Sequence, residues 1–138
     1  MMSRLLPIVL LLLFSCGSSN DPLQNDSWVL NSTYAYMTQT EQMAAELNYT
    51  EKVAFISDGL FLKSQTRDGE TTTIEGRWVA NEQNGNSGFR VTYAQNHPLI
   101  RNCFVEPEEF YFFSGDLLIQ SDFTPCDGPE YRYVRSPD

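Results

Sequence analysis

Lys52-Val53-Ala54-Phe55-Ile56-Ser57-Asp58-Gly59-Leu60-Phe61-Leu62-Lys63-Ser64 is the stretch that decides the fold. Short runs rich in branched and aromatic residues stand on either side of Ser57-Asp58-Gly59. An Asp-Gly between such runs predicts a hairpin, because both residues tolerate the positive φ that a tight turn needs. The signal recurs along the chain. Asp68-Gly69 separates the second run from Glu70 to Ala80, and Asn84-Gly85-Asn86-Ser87-Gly88 separates that segment from Phe89 to Ala94. Ser114-Gly115-Asp116 divides Phe110 to Phe113 from Leu117 to Phe123, while Trp28 to Leu30 opens the series and Tyr131 to Val134 closes it.

These segments make about eight strands joined by tight turns. Ile74, Gly76, Trp78 and Ala80 alternate with Glu75 and Arg77; Phe89, Val91 and Tyr93 alternate with Arg90 and Thr92. Period two of this kind gives each strand one core face. Closure removes the sheet edges, so the predicted fold is all-β, an antiparallel up-and-down barrel of about eight strands over residues 27–138. A two-sheet sandwich has the same strand count and is the alternative. Thr38 with Glu41 three residues later, followed by Met43 and Leu47, predicts one short helix in the first connection. Gln95 to Glu109, with Pro98 and Pro107, predicts a loop.

The N-terminus sets the compartment. Arg4 precedes an apolar run from Leu5 to Phe14, too short to span a bilayer and suited to a secretory signal over residues 1–15. Leu13-Phe14-Ser15-Cys16 resembles the lipobox of bacterial lipoproteins. That resemblance implies a lipidated Cys16 as the membrane anchor, and Gly17 resembles the sorting residue of outer-membrane lipoproteins. The expected location is therefore the bacterial cell envelope. Residues 16–26, polar and poor in apolar side chains, read as a flexible tether. Cleavage would remove Arg4 and leave eight basic against eighteen acidic residues, a net charge of −10. Such a balance argues against a nucleic-acid partner.

Cys103 and Cys126 form an even pair in an exported chain, which predicts a disulfide. Free buried thiols are the alternative. With His97 they supply too few soft ligands for a closed zinc site, so no metal is expected. Asp122, Asp127, Glu130, Glu106, Glu108 and Glu109 match no calcium loop and read as a solvated acidic face. The sequence has no glycine-flanked nucleophilic serine, His-rich metal pattern or phosphate-cradling loop. An enzyme is not expected, nor a cofactor.

The strand order, the tryptophan in the first strand, the large first connection and the basic residues of the last strand resemble the lipocalin-like lipoproteins, a branch of the calycin barrels. In lipocalins that tryptophan packs against an arginine from the end of the barrel. Here the tryptophan is Trp28, with Asp26 at the place usually held by glycine, and Arg132 and Arg135 are the candidate partners that would close the barrel. The resemblance implies a small apolar ligand in the barrel mouth, with Phe55, Leu62, Trp78, Tyr93, Phe112 and Ile119 as the candidate inward residues. The same side chains could instead fill the barrel themselves. The protein would then be a non-catalytic interaction module or inhibitor that meets an envelope protein.

Overall fold

A computed structural model describes residues 26–137. The expected signal sequence, the expected lipid anchor at Cys16 and most of the expected tether lie outside the described residues. Nine strands form one sheet: β1 (Asp26–Ala35), β2 (Thr40–Met43), β3 (Thr50–Ile56), β4 (Leu60–Arg67), β5 (Glu70–Gln83), β6 (Asn86–Tyr93), β7 (Glu108–Ser114), β8 (Leu117–Gln120) and β9 (Glu130–Arg135). Every pairing is antiparallel, neighbours run in order from β3 to β9, and β1 pairs with both β3 and β9. Eight strands therefore close into an up-and-down barrel, with β2 as an extra strand. Asp26, expected in the tether, is the first residue of β1 and sits opposite Phe55.

The turns follow from residue chemistry. Asp58 and Gly59, Asp68 and Gly69, and Asn84 and Gly85 all hold positive φ, the conformation for which Asp-Gly and Asn-Gly are selected in hairpins. These turns alternate between two ends. The lower end carries the turns around Gly59, Gly85 and Gly115 with the start of β1 and the end of β9; the upper end carries the turn at Gly69 and the longer connections.

The first connection departs from expectation. No α-helix forms there: Thr40–Met43 pairs with Ser32 to Ala35 of β1, and Ala44–Glu46 makes a single 3-10 turn. The Glu46 carboxylate accepts the Met43 backbone N–H at 2.7 Å, so the capping interaction exists five residues beyond the place the Thr38-Glu41 pattern suggested. An isolated helix of two or three turns is marginal in water. Of the two apolar positions, Leu47 packs against the core but Met43 is exposed, so the expected helix had little apolar face to bury, and pairing with β1 prevails. That pairing needs room. β1 lies beside β3 only from Asp26 to Val29, and then beside β2 from Ser32 to Ala35. A bulge between Leu30 and Ser32 switches which side chains enter the barrel.

Inside, the lower part is aromatic. Phe55 meets the rings of Phe61, Trp78, Phe89 and Tyr111 at centroid distances of 5.0, 6.1, 5.4 and 5.8 Å. Edge-on and tilted contacts of this kind add roughly 0.5–1.5 kcal/mol each beyond their area. Gly76 lies in register with Phe61 and Tyr93, where a Cβ would come within 2.8 Å of Val91 Cγ1 and 3.1 Å of Tyr93 Cδ1. Glycine there makes room for the neighbouring side chains.

Candidate functional site

The upper part of the barrel holds charge instead of hydrocarbon. Period two, counted outward from Phe55, Phe61 and Tyr111, turns Glu51, Lys63 and Glu109 into the interior. The side chains of Glu51, Lys63 and Glu109 are wholly buried. The connection over residues 94–107 folds back across this end and delivers Arg101, which is 6% exposed. Two carboxylates and two cations thus share one enclosed space and balance in charge.

Each group is bonded several times. Lys63 Nζ lies 2.7 Å from Glu109 Oε1 and 4.0 Å from Glu51 Oε1. The Arg101 guanidinium grips Glu51 with both terminal nitrogens, Nη1 reaching Oε1 at 2.7 Å and Nη2 pairing with Oε2. Its plane lies 3.9 Å from the centre of the Tyr131 ring. Tyr133 donates to Glu51 at 2.6 Å; Tyr93 and Tyr111 donate to Glu109 at 2.5 and 3.0 Å. The backbone of Arg101 is held as well, its N–H donating to Glu109 at 2.7 Å and its carbonyl accepting from Gln120 at 2.6 Å.

These contacts set the protonation states. Burial would raise the Glu51 carboxyl, but the Lys63 charge, the Arg101 hydrogen bonds and charge, and the Tyr133 hydroxyl outweigh it and bring it down to about 2. Burial also works against the Arg101 charge, and the bonds to Glu51 reverse that and raise it. Burial and the Glu109 charge push the Tyr93 and Tyr111 hydroxyls well up; burial and Glu51 do the same for Tyr133. All three phenols therefore remain donors at neutral pH. Asp122 behaves in the opposite sense to Glu51. Burial raises its carboxyl to about 6 against the hydrogen bonds it accepts from the Phe110 N–H and the Gln120 amide.

The plug is fastened by the disulfide. Cys103 and Cys126 are bonded, with Cα atoms 5.8 Å apart, and both residues are exposed. The bridge ties the 94–107 connection to the segment between β8 and β9, two residues away from Arg101.

The candidate ligand residues divide into two sets. Phe55 and Tyr93 are buried inside, and Trp78 faces inward with its indole N–H donating to the Ile56 carbonyl at 2.9 Å. Leu62, Phe112 and Ile119 lie on the outer side of their strands, where Ile119 is nonetheless buried. Leu62 lies opposite Ala54 and Glu75, and Phe112 lies opposite Ile119. Leu60-Phe61-Leu62 and Phe110 to Phe113 are apolar on both faces, so hydrophobicity alone does not choose the inner one. The inward partner of Phe61 is Lys63, which reads from sequence as a solvent residue.

The closing pair is also resolved. Arg135 lies over the Trp28 ring at 4.7 Å and pairs with Asp26. Arg132 is on the outer face instead, 4.6 Å over Tyr34 and bonded to Glu130 at 2.8 Å and Glu41 at 3.2 Å. Glu109 and Glu130, expected on a solvated acidic face, are buried.

The arrangement is compatible with a lipocalin-like barrel, one whose mouth is closed by its own side chains. Comparison with known proteins finds no matching family model, no matching curated protein and no matching solved structure.

Proposed function

We propose that the protein is a lipid-anchored, non-catalytic envelope protein whose filled barrel presents its upper end to another protein. The observation that carries this reading is the occupied interior. Phe55, Phe61, Tyr111, Tyr133, Lys63 and Glu109 are each at most 1% exposed, and a barrel of eight strands packed in this way keeps little space for an apolar ligand. Large apolar side chains stand at the upper end instead. Tyr36 and Met37, in the turn between β1 and β2, are 55% and 75% exposed, and Met43 at the end of β2 is exposed too. Among the described residues β2 pairs only with β1, so its other edge offers main-chain groups to a partner strand.

Site-specific photo-crosslinking in the native envelope tests this. A probe replacing Met37 should yield a defined adduct with one envelope protein, a probe at Glu70 should not, and Tyr36→Ala should weaken the co-purification of that protein. Equal labelling from both positions would contradict the reading. The anchor has its own test: Cys16→Ala should release the protein from the membrane fraction, and continued association would exclude lipidation at that residue.

A further inference from the structure

The contacts around Arg101 have the chemistry of a binding site whose ligand is part of the same chain. Glu51 from β3 supplies two carboxylate oxygens to one guanidinium, and Tyr131 from β9 supplies a stacking face at 3.9 Å. The recognition groups all come from barrel strands, whereas the guanidinium comes from a connection laid across the mouth. Fork-to-carboxylate pairing with an aromatic face is how proteins bind free guanidinium groups.

Three further observations bear on whether that seat can be vacated. Without Arg101 the chamber would hold Glu51 and Glu109 against Lys63 alone, and an uncompensated buried carboxylate is strongly unfavourable, so entering water, a proton or another cation must take the place of the guanidinium. A cleft of about 420 Å³ lies on the outer wall where β1 leaves β3, with Val29, Leu30, Thr50, Lys52 and Ser64 in its walls; the Glu51 side chain is wholly buried, so this cleft does not open onto the carboxylate. Finally, the connection is latched by an exposed disulfide only two residues from Arg101.

The geometry points to a cation site at the barrel mouth that Arg101 occupies in the oxidised chain and yields, once the Cys103–Cys126 bridge is reduced, to an alkylguanidinium ligand. Reduction takes two electrons and two protons from a dithiol reductant: the Sγ–Sγ bond breaks, two thiols form, and the reductant leaves as its own disulfide. The Leu99 side chain and the Arg101 backbone bonds to Glu109 and Gln120 still oppose opening. Loss of the Cys103–Cys126 cross-link removes the covalent tie that holds this connection to the segment between β8 and β9.

The test uses the full chain in detergent, oxidised or reduced with dithiothreitol, titrated with n-butylguanidinium and, as controls, n-butylammonium and butyrate. Calorimetry should show n-butylguanidinium binding the reduced chain about tenfold or more tighter than the oxidised chain, an affinity difference of about 1.4 kcal/mol, with n-butylammonium weaker and butyrate without binding. In the reduced chain Glu51→Gln should abolish it. Equal affinity in both redox states, binding of butyrate, or binding that survives Glu51→Gln would overturn the inference. Hydrogen exchange on the reduced chain separates opening from unfolding. Exchange at residues 94–107 and 121–129 should rise by more than the increase in the core amides of β3 to β9 that the lower global stability brings, and an equal rise throughout would overturn the inference.

Discussion

Arg101 and Glu51 are fifty residues apart in sequence, and their side chains meet inside the barrel with Nη1 and Oε1 at 2.7 Å. Their meeting converts an open calyx into a closed body. Substituting Arg101→Ala would leave Glu51 with only Lys63 as a cation neighbour, 4.0 Å away and already bonded to Glu109. Breaking a buried pair from one side costs about 3–5 kcal/mol. Urea denaturation of that variant should show a loss of this size at neutral pH; a loss below about 1 kcal/mol would mean that the pair is solvated.

The acid response follows from the same pair. The Glu51 carboxyl is lowered in the fold from its ordinary 4.5 to about 2, so its contribution is complete above about 4.5 and is lost as pH falls through about 2. Asp122 has the reverse sign. Its carboxyl rises from 3.8 to about 6, so the stability linked to its protonation is present below about 3.8 and lost as pH rises through about 6. Denaturation midpoints against pH should therefore fall steeply on the acid side in a Glu51-dependent way. Asp122→Asn should gain on the parent between pH 4 and 7, and a pH-independent difference would contradict the assignment.

Gly76→Ala places a methyl group 2.8 Å from Val91 Cγ1 and 3.1 Å from Tyr93 Cδ1. Overpacking of that kind costs about 1–3 kcal/mol. The thermal midpoint should drop accordingly, while an unchanged midpoint would place residue 76 outside the core.

Reduction of Cys103–Cys126 removes a cross-link over 23 residues, which contributes about 3 kcal/mol in the chain-entropy model. The melting temperature should fall by on the order of ten degrees for a body of this size, and neither cysteine should accept a thiol label before reduction.

Much of the barrel could be read from sequence because its information is local. Asp58-Gly59, Asp68-Gly69 and Asn84-Gly85 announce turns through the φ they tolerate, and the alternation of Ile74 to Ala80 and Phe89 to Tyr93 assigns a face to each residue. β2 was not legible in this way. Its four exposed residues carry no apolar pattern, and they pair because β1 leaves β3 at Val29. The charged chamber is not legible from residue type, because a lysine or glutamate in a strand ordinarily faces water. Burial of Glu51, Lys63 and Glu109 becomes tolerable only when all three assemble with Arg101. A usable signal existed. Extending period two from Phe55 to Glu51, from Phe61 to Lys63 and from Tyr111 to Glu109 puts all three inside, whatever their charge.

The occupied interior is tested most directly by a crystal structure of the oxidised full chain purified gently from its native envelope. The account predicts side-chain density throughout the barrel, Arg101 bonded to Glu51 beneath the 94–107 connection, and no additional molecule inside. A hollow calyx containing a bound small molecule, with Arg101 turned out to solvent, would contradict it.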